Sequence, residues 1–191
     1  MSADAVLPPL VAAATARARQ AGFQMSCEPE VGRLLAVLAA HLPQDARVLE
    51  LGTGTGVGTA WIVSGLLPRT DVTVTSVEKD PATAAVAAAG DWPSFAELRC
   101  GDALAVLAEG GTFDLIFADA AGGKRDGLDR SLAALRPRGL LIVDDMTPEP
   151  DWADSLRATQ QRVRQALLSA PELTSAELPV GSGVILSVRN T

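Results

Sequence analysis

The chain has 191 residues, 48% hydrophobic and 20% charged, which suits one globular domain with a sizeable core. A formal net charge of −7 argues against a nucleic-acid partner, whose phosphates call for a basic surface, and 4% aromatics leave little for stacking bases. The opening stretch, MSADAVLPPLVAAATARAR, has no basic segment ahead of its apolar run, and nothing in the chain approaches the ~18–20 apolar residues of a membrane span, so neither a leader nor a membrane partner is expected.

Two helices are expected over residues 1–44. Val6, Leu10, Ala13 and Ala14 keep helical spacing, as do Val31, Leu34, Leu35 and Leu38, with Pro29 in the first turn of the second helix and Pro43 just beyond its end. The single histidine, His41, falls in that last turn, where a helix C-terminus favours a cation. Short apolar runs then read as buried strands at Arg47–Leu51, Val72–Glu78, Ala96–Cys100, Phe113–Asp119 and Leu140–Asp144. Helices separate them: one after a glycine-rich loop, one after Asp80-Pro81, one after Asp102, and one carrying Leu128, Leu132 and Leu135. A helix with Trp152, Leu156, Val163 and Leu167 on one face is followed by strands Leu173–Leu178 and Val184–Val188, joined by the short link PVGS. So short a link makes an antiparallel hairpin. The pattern is a doubly wound, Rossmann-like α/β domain spanning 1–191, with helices on both faces of a mostly parallel sheet. Cys27 in a loop and Cys100 at a strand end read as free thiols of a cytoplasmic protein.

The loop after the first strand is ELGTGTGVG. A strand-to-helix turn points backbone N–H groups at a ligand, and glycine lets that ligand come close. Gly52, Gly54, Gly56 and Gly58 do not keep the GxGxxG spacing of the nicotinamide and flavin fingerprint; the needed third positions are Val57 and Thr59. An acid, Glu50, precedes them instead. A carboxylate repels a pyrophosphate but suits an ammonium group, which points to S-adenosylmethionine. Glu78, at the tip of the second strand, can accept hydrogen bonds from both ribose hydroxyls of an adenosine. Asp102 can accept from an adenine amino group, cap a helix, or do both.

These residues resemble the class I S-adenosylmethionine-dependent methyltransferases, and within them the O-methyltransferases of the catechol and caffeoyl-coenzyme A type. The resemblance rests on Met25-Ser26, RVLELGTGTGVGTAW, SVEKD, GDAL, FDLIFADA and GLLIVDDM, and spans nearly the whole chain. It implies a seven-stranded sheet whose last strand inserts antiparallel. It implies that Glu50, Gly52 and Gly54 hold the methionine end of the cofactor, Glu78 the ribose and Asp102-Ala103 the adenine. Thr53, Gly56, Lys79, Gly101 and Asp119 belong to the same cofactor site, and Met25 lines its pocket. A small-molecule methyl acceptor and a homodimer are further expectations of the resemblance.

In open α/β sheets, ligands sit at the carboxyl ends of the strands. Asp119 ends the fourth strand, and Asp144 and Asp145 end the fifth. Carboxylates brought that close repel unless one is protonated or a cation such as Mg²⁺ joins them. The family resemblance implies the same metal set, with one departure: Asp145 stands where metal-dependent members have Asn. Those members also carry a catalytic lysine three residues after the first Asp. That position is Gly122 here, and the nearest lysine is Lys124, five residues on. Lys124 is either a re-aimed catalytic or substrate-orienting group or a plain surface lysine. Asp119 and Lys124 are the candidate catalytic pair, and Asp119, Asp144 and Asp145 the candidate metal ligands.

Substrate walls are expected from Gly22–Cys27, Ala120–Asp126 and Met146–Trp152. Trp61 reads as core, Trp92 as a half-buried turn residue, and Trp152 as helix packing or as a cover for an aromatic acceptor. The leading reading is methyl transfer to a small-molecule hydroxyl oxygen. Metal-independent N- or C-methylation and a catalytically idle S-adenosylmethionine-binding protein remain open, and the glycine spacing disfavours a nicotinamide oxidoreductase.

Overall fold

Alternation within the strands decides where the core sits. In β1 (Arg47–Leu51) and β4 (Phe113–Ala118), Val48, Leu115 and Phe117 face one side of the sheet, while Leu49, Leu51, Ile116 and Ala118 face the other, all of them buried. A strand buried on both faces is what helices on both sides of a parallel sheet require. The structure, a computed structural model, describes residues 6–191; the expectation about a leader rests partly on residues outside that range.

The other strands are β2 (Thr73–Glu78), β3 (Ala96–Cys100), β5 (Leu135–Val143), β6 (Leu173–Leu178) and β7 (Val184–Arg189). The sheet runs β3-β2-β1-β4-β5-β7-β6, parallel except that β7 is antiparallel to both β5 and β6. The strand order reverses between β1 and β4, which places the topological switch at the glycine loop.

Seven helices are described: α1 (Pro9–Gln20), α2 (Pro29–Ala40), α3 (Val57–Leu66), α4 (Pro81–Ala88), α5 (Ala103–Ala108), α6 (Leu128–Ala133) and α7 (Asp154–Ser169). The local signals act as expected. Pro9, Pro29 and Pro81 sit in first turns, and Asp80 and Asp102 accept from the N–H groups of Thr83 and Leu104. α2 buries Val31, Leu35 and Ala39 against Ile62, Val63 and Leu66 of α3, and α1 packs Val11, Ala14 and Ala18 beside Trp61. α5 and α7 cover the opposite face through Val106, Leu107, Val163 and Leu167. No helix among the described residues is long and apolar enough to cross a membrane.

Three boundaries differ from expectation. Val6 lies ahead of α1 and is 95% exposed. Leu135 begins β5 rather than closing the helix before it, because Phe113 pairs with Leu135 and the register slips at a bulge where Arg138 takes φ 67°. Trp152 precedes α7; its carbonyl accepts from Arg157 Nε, so it belongs to the helix entry. Trp92 is the half-buried turn residue expected; it donates to the Ala87 carbonyl and lies under the Arg17 guanidinium, packed between α1 and α4.

The α2–α3 contact leaves no spare room. A Cβ on Gly65 would fall 2.2 Å from the Ala36 carbonyl oxygen, a backbone atom that cannot rotate away. Gly65→Ala should therefore cost about 1–3 kcal/mol of stability through overpacking. Urea denaturation checks this; an unchanged midpoint would mean the two helices separate easily.

Candidate active site

Every acid singled out in the sequence reaches the carboxyl edge of the sheet. The glycine loop turns there because Gly52 and Thr53 both donate to the Val77 carbonyl, at 2.9 and 3.1 Å. Gly52 takes φ 105°, and a Cβ on it would lie 2.9 Å from the Ala120 nitrogen, so the loop runs hard against the tip of β4. Gly54 donates to Glu78 Oε2 at 2.9 Å, and Asp80 N donates to Oε1 at 2.9 Å, which holds Glu78 at the loop's edge.

Glu50 is fully buried. β1 and β2 pair Glu50 with Ser76, whose hydroxyl donates to Oε2 at 2.5 Å, and Thr59 of α3 donates to the same oxygen. Its other oxygen, Oε1, has no partner. A Cβ on Gly58 would lie 2.4 Å from Oε1, so the fourth glycine of the loop is the space in which this carboxylate sits. Burial raises the Glu50 carboxyl to about 7; the Ser76 and Thr59 hydroxyls oppose the rise and the Glu78 charge adds to it.

A cavity of about 420 Å³ opens above these residues. Its wall includes seven acids, Glu28, Glu50, Glu78, Asp119, Asp144, Asp145 and Glu149, and no lysine, arginine or histidine. Phe23, Met25 and Cys27 close the side formed by the segment between α1 and α2, with Met25 78% exposed at the rim. Burial and the neighbouring carboxylates push the Cys27 thiol well up, which makes it a poor nucleophile. A second hollow of about 210 Å³ shares Gly52, Glu78 and Ala120 with the first. Lys79, Gly101, Asp102 and Ala103 line it, and Lys79 pairs with Asp102 at 3.4 Å. Together the hollows contain the expected cofactor residues except Gly56. That glycine turns away as the N-cap of α3, where a Cβ would lie 2.9 Å from the Trp92 ring.

Asp119 and Asp144 follow the paired ends of β4 and β5, Ala118 and Val143. Asp144 Oδ1 accepts from Ser182 Oγ at 2.5 Å and from Asp145 N at 2.8 Å; burial still raises its carboxyl above the ordinary value. Asp145 takes φ 56°, a left-handed conformation that Asp and Asn adopt more readily than other side chains. Lys124 is 1% exposed and does not line either hollow. Its ammonium donates to Asp145 Oδ2 at 2.8 Å and to the Asp144 carbonyl at 3.1 Å, and stands 3.9 Å from Asp119 Oδ1. Burial drives the Asp119 carboxyl well up, the Lys124 charge pulls it back, and Asp144 and Asp145 add to the rise. The three expected metal ligands thus converge with an ammonium group among them. A divalent cation would meet that buried positive charge at 2.8 Å from Asp145 Oδ2 and 3.9 Å from Asp119 Oδ1, so the donor set as folded does not fit one.

Sequence reasoning missed the roles of Thr59, Ser76, Gly58 and Ser182. Ser76 carried a signal, being a polar residue at the i+2 position from Val74, on the same buried face of β2. Ser182 carried none, since only the fold brings the β6–β7 link over the cavity; Glu149 falls within the expected wall Met146–Trp152.

Residues 49–146 match a family described as a methyltransferase domain. A protein of Mycolicibacterium vanbaalenii bearing an O-methyltransferase name is 31% identical over 194 residues, covering 95% of this chain and 84% of that protein. Among solved structures, one from Klebsiella pneumoniae titled as an O-methyltransferase is 27% identical with a TM-score of 0.81, covering 99% of this chain and 93% of the other. An O-methyltransferase from Bacillus cereus in complex with S-adenosylhomocysteine is 23% identical with a TM-score of 0.84, covering 98% and 94%, and matches in fold.

A buried carboxyl that titrates near 7 opposes folding once it must ionise. Its folded value lies above its unfolded one, so its contribution is favourable below about 4.5 and is lost as pH rises to about 7. Glu50→Gln removes that loss. At pH 8 the variant should be more stable than the parent by up to about 3 kcal/mol, at about 1.4 kcal/mol per pH unit, and near pH 4.5 the gain should vanish. Denaturation curves at the two pH values check the sign; a pH-independent difference would refute it.

Proposed function

Since the chain belongs to the methyltransferase-domain family, as a class I S-adenosylmethionine-dependent O-methyltransferase, we propose that its two joined hollows bind that methyl donor beside a small-molecule acceptor whose hydroxyl oxygen receives the methyl group. The observation that carries this reading is the wall of seven acids with no basic residue. A nucleotide with a pyrophosphate would be repelled there, whereas a sulfonium and an ammonium group would be attracted. The unpartnered Glu50 Oε1 and the unpartnered, buried Thr55 Oγ1 are two further polar atoms at that wall left for a ligand. The same charge argues against an acceptor carrying phosphates.

In this reading Glu50 faces the methionine end, with Gly52, Thr53 and Gly54 as the cradle. Glu78 takes the ribose, because each oxygen makes only one internal hydrogen bond and can accept another. Gly101, Asp102 and Ala103 border the adenine, with Lys79 at its rim, and Met25 covers the mouth. The free thiols Cys27 and Cys100 agree with a reducing, cytoplasmic setting.

The bound donor supplies a methyl group already activated on sulfur. The chain's own task is to align an acceptor oxygen with it, exclude water and take the hydroxyl proton. Asp119 is the base of choice, since it lines the cavity and burial makes its carboxylate more basic than an ordinary aspartate. As the oxygen–carbon bond forms and the carbon–sulfur bond breaks, the acceptor proton passes to an Asp119 oxygen. Lys124, 3.9 Å away, favours the ionised form of that carboxylate against the effect of its burial. No step here runs through a metal ion.

Calorimetric titration with S-adenosylhomocysteine, with NAD as control, tests the donor assignment. The adenosyl ligand alone should bind, and Glu78→Ala should weaken it by about tenfold or more, the loss of one to two charge-assisted hydrogen bonds. Binding of NAD in its place would overturn the assignment. Asp119→Asn should slow turnover on a hydroxyl acceptor by about 10²-fold or more; a parental rate would remove Asp119 as the base.

A further inference from the structure

We propose that Lys124 is the built-in cation of this site, its ammonium standing where a divalent metal ion would otherwise join Asp119 and Asp145, so that the chain methylates without a metal. The inference rests on the methyl-transfer reading above.

A lysine could reach this place by chance of a flexible loop, but the loop here is tight. The N–H groups of Arg125 and Asp126 both donate to the Ala121 carbonyl, at 2.8 and 3.0 Å, and Gly123 N donates to the Asp126 carbonyl at 2.7 Å. Ser131 of α6 donates to the Gly123 carbonyl at 2.8 Å and fixes the turn to the helix behind it. Gly123 takes φ 88° against Leu51, where a Cβ would lie 2.2 Å from a methyl carbon. The turn is thus fixed, and it carries Lys124 into the site as a buried side chain rather than out into solvent.

The partners of the ammonium are the residues a metal would need. It takes Asp145 Oδ2 and the Asp144 carbonyl by hydrogen bonds and faces Asp119 Oδ1 at 3.9 Å. One oxygen of the remaining carboxylate is engaged elsewhere, since Asp144 Oδ1 accepts from Ser182 Oγ and the Asp145 N–H. The Asp145 carbonyl is itself fixed by Gln160 of α7 at 2.7 Å, which supports the left-handed turn that aims its side chain at Lys124. Mg²⁺ demands several oxygens in near-octahedral array at about 2.0–2.1 Å and would meet a positive charge already in place. The two cations compete for one set of oxygens, and the covalently attached one needs no uptake from solution. Lys124 is then a positioning residue: it touches the carboxylates, not the acceptor.

Mn²⁺ titration followed by electron paramagnetic resonance tests this, alongside calorimetry with S-adenosylhomocysteine in EDTA and in Mg²⁺. The parent chain should bind no Mn²⁺, hold S-adenosylhomocysteine with equal affinity in both buffers and turn over undiminished in EDTA. Lys124→Ala should gain one Mn²⁺ site per chain, and the added change Asp119→Asn should abolish it. A stoichiometric Mn²⁺ site in the parent, or turnover lost in EDTA, would overturn the proposal. So would a folded Lys124→Ala chain that binds no more Mn²⁺ than the parent. If the variant does not fold, the parent's titration decides alone. Failure of S-adenosylhomocysteine to bind at all would defeat the methyl-donor reading instead, and the Mn²⁺ result would still judge the lysine.

Discussion

A carboxylate with no access to water, at the end of the central strand, sets the terms for everything around it. Glu50 is held by two hydroxyls on one oxygen and by nothing on the other. Burying such a group is unfavourable unless it is hydrogen-bonded or paired, so a half-satisfied one is a standing demand for a ligand. β2 must keep its register to present Ser76, α3 must begin where Thr59 can turn inward, and Gly58 must lack a side chain. The first turn of α3 therefore serves the carboxylate as much as it serves helix packing.

The same problem recurs one strand away, with a different solution. Parallel strands end side by side, so acids placed after β4 and β5 cannot avoid one another. Lys124 answers that crowding from within the chain. The result is a site whose inner layer is partly neutralised and whose wall remains strongly acidic. Such a surface selects against phosphates and for cationic or neutral ligands. It also places a basic carboxylate, Asp119, between an internal cation and an open cavity, which is where a proton acceptor is useful.

The segment between α1 and α2, the link between β6 and β7 and the stretch after β5 complete the cavity without belonging to the sheet. Ser182 reaches Asp144 across 38 residues of sequence, and the Met146 and Thr147 N–H groups pair with Gly183 and Ser182. The antiparallel insertion of β7 beside β5 makes this possible, because it brings the hairpin link to the same edge as the parallel strand tips. The sheet's one irregularity of direction thus contributes directly to the site.

The strands, the caps at Asp80 and Asp102, the glycine loop and the acids at the strand tips were legible in the sequence alone. Each of these is decided within a few residues, by side-chain period, by a capping oxygen or by a proline ring. Where local signals misled, a tertiary pairing had overridden them, as when Phe113 drew Leu135 out of a helical pattern and into β5. Only the folded chain decided that Ser76 faces Glu50, that Gly56 turns away under Trp92, and that Lys124 is buried among three aspartates rather than solvated. Those outcomes depend on strand register and on groups brought together from different elements of the fold, and periodicity along a chain carries no information about either.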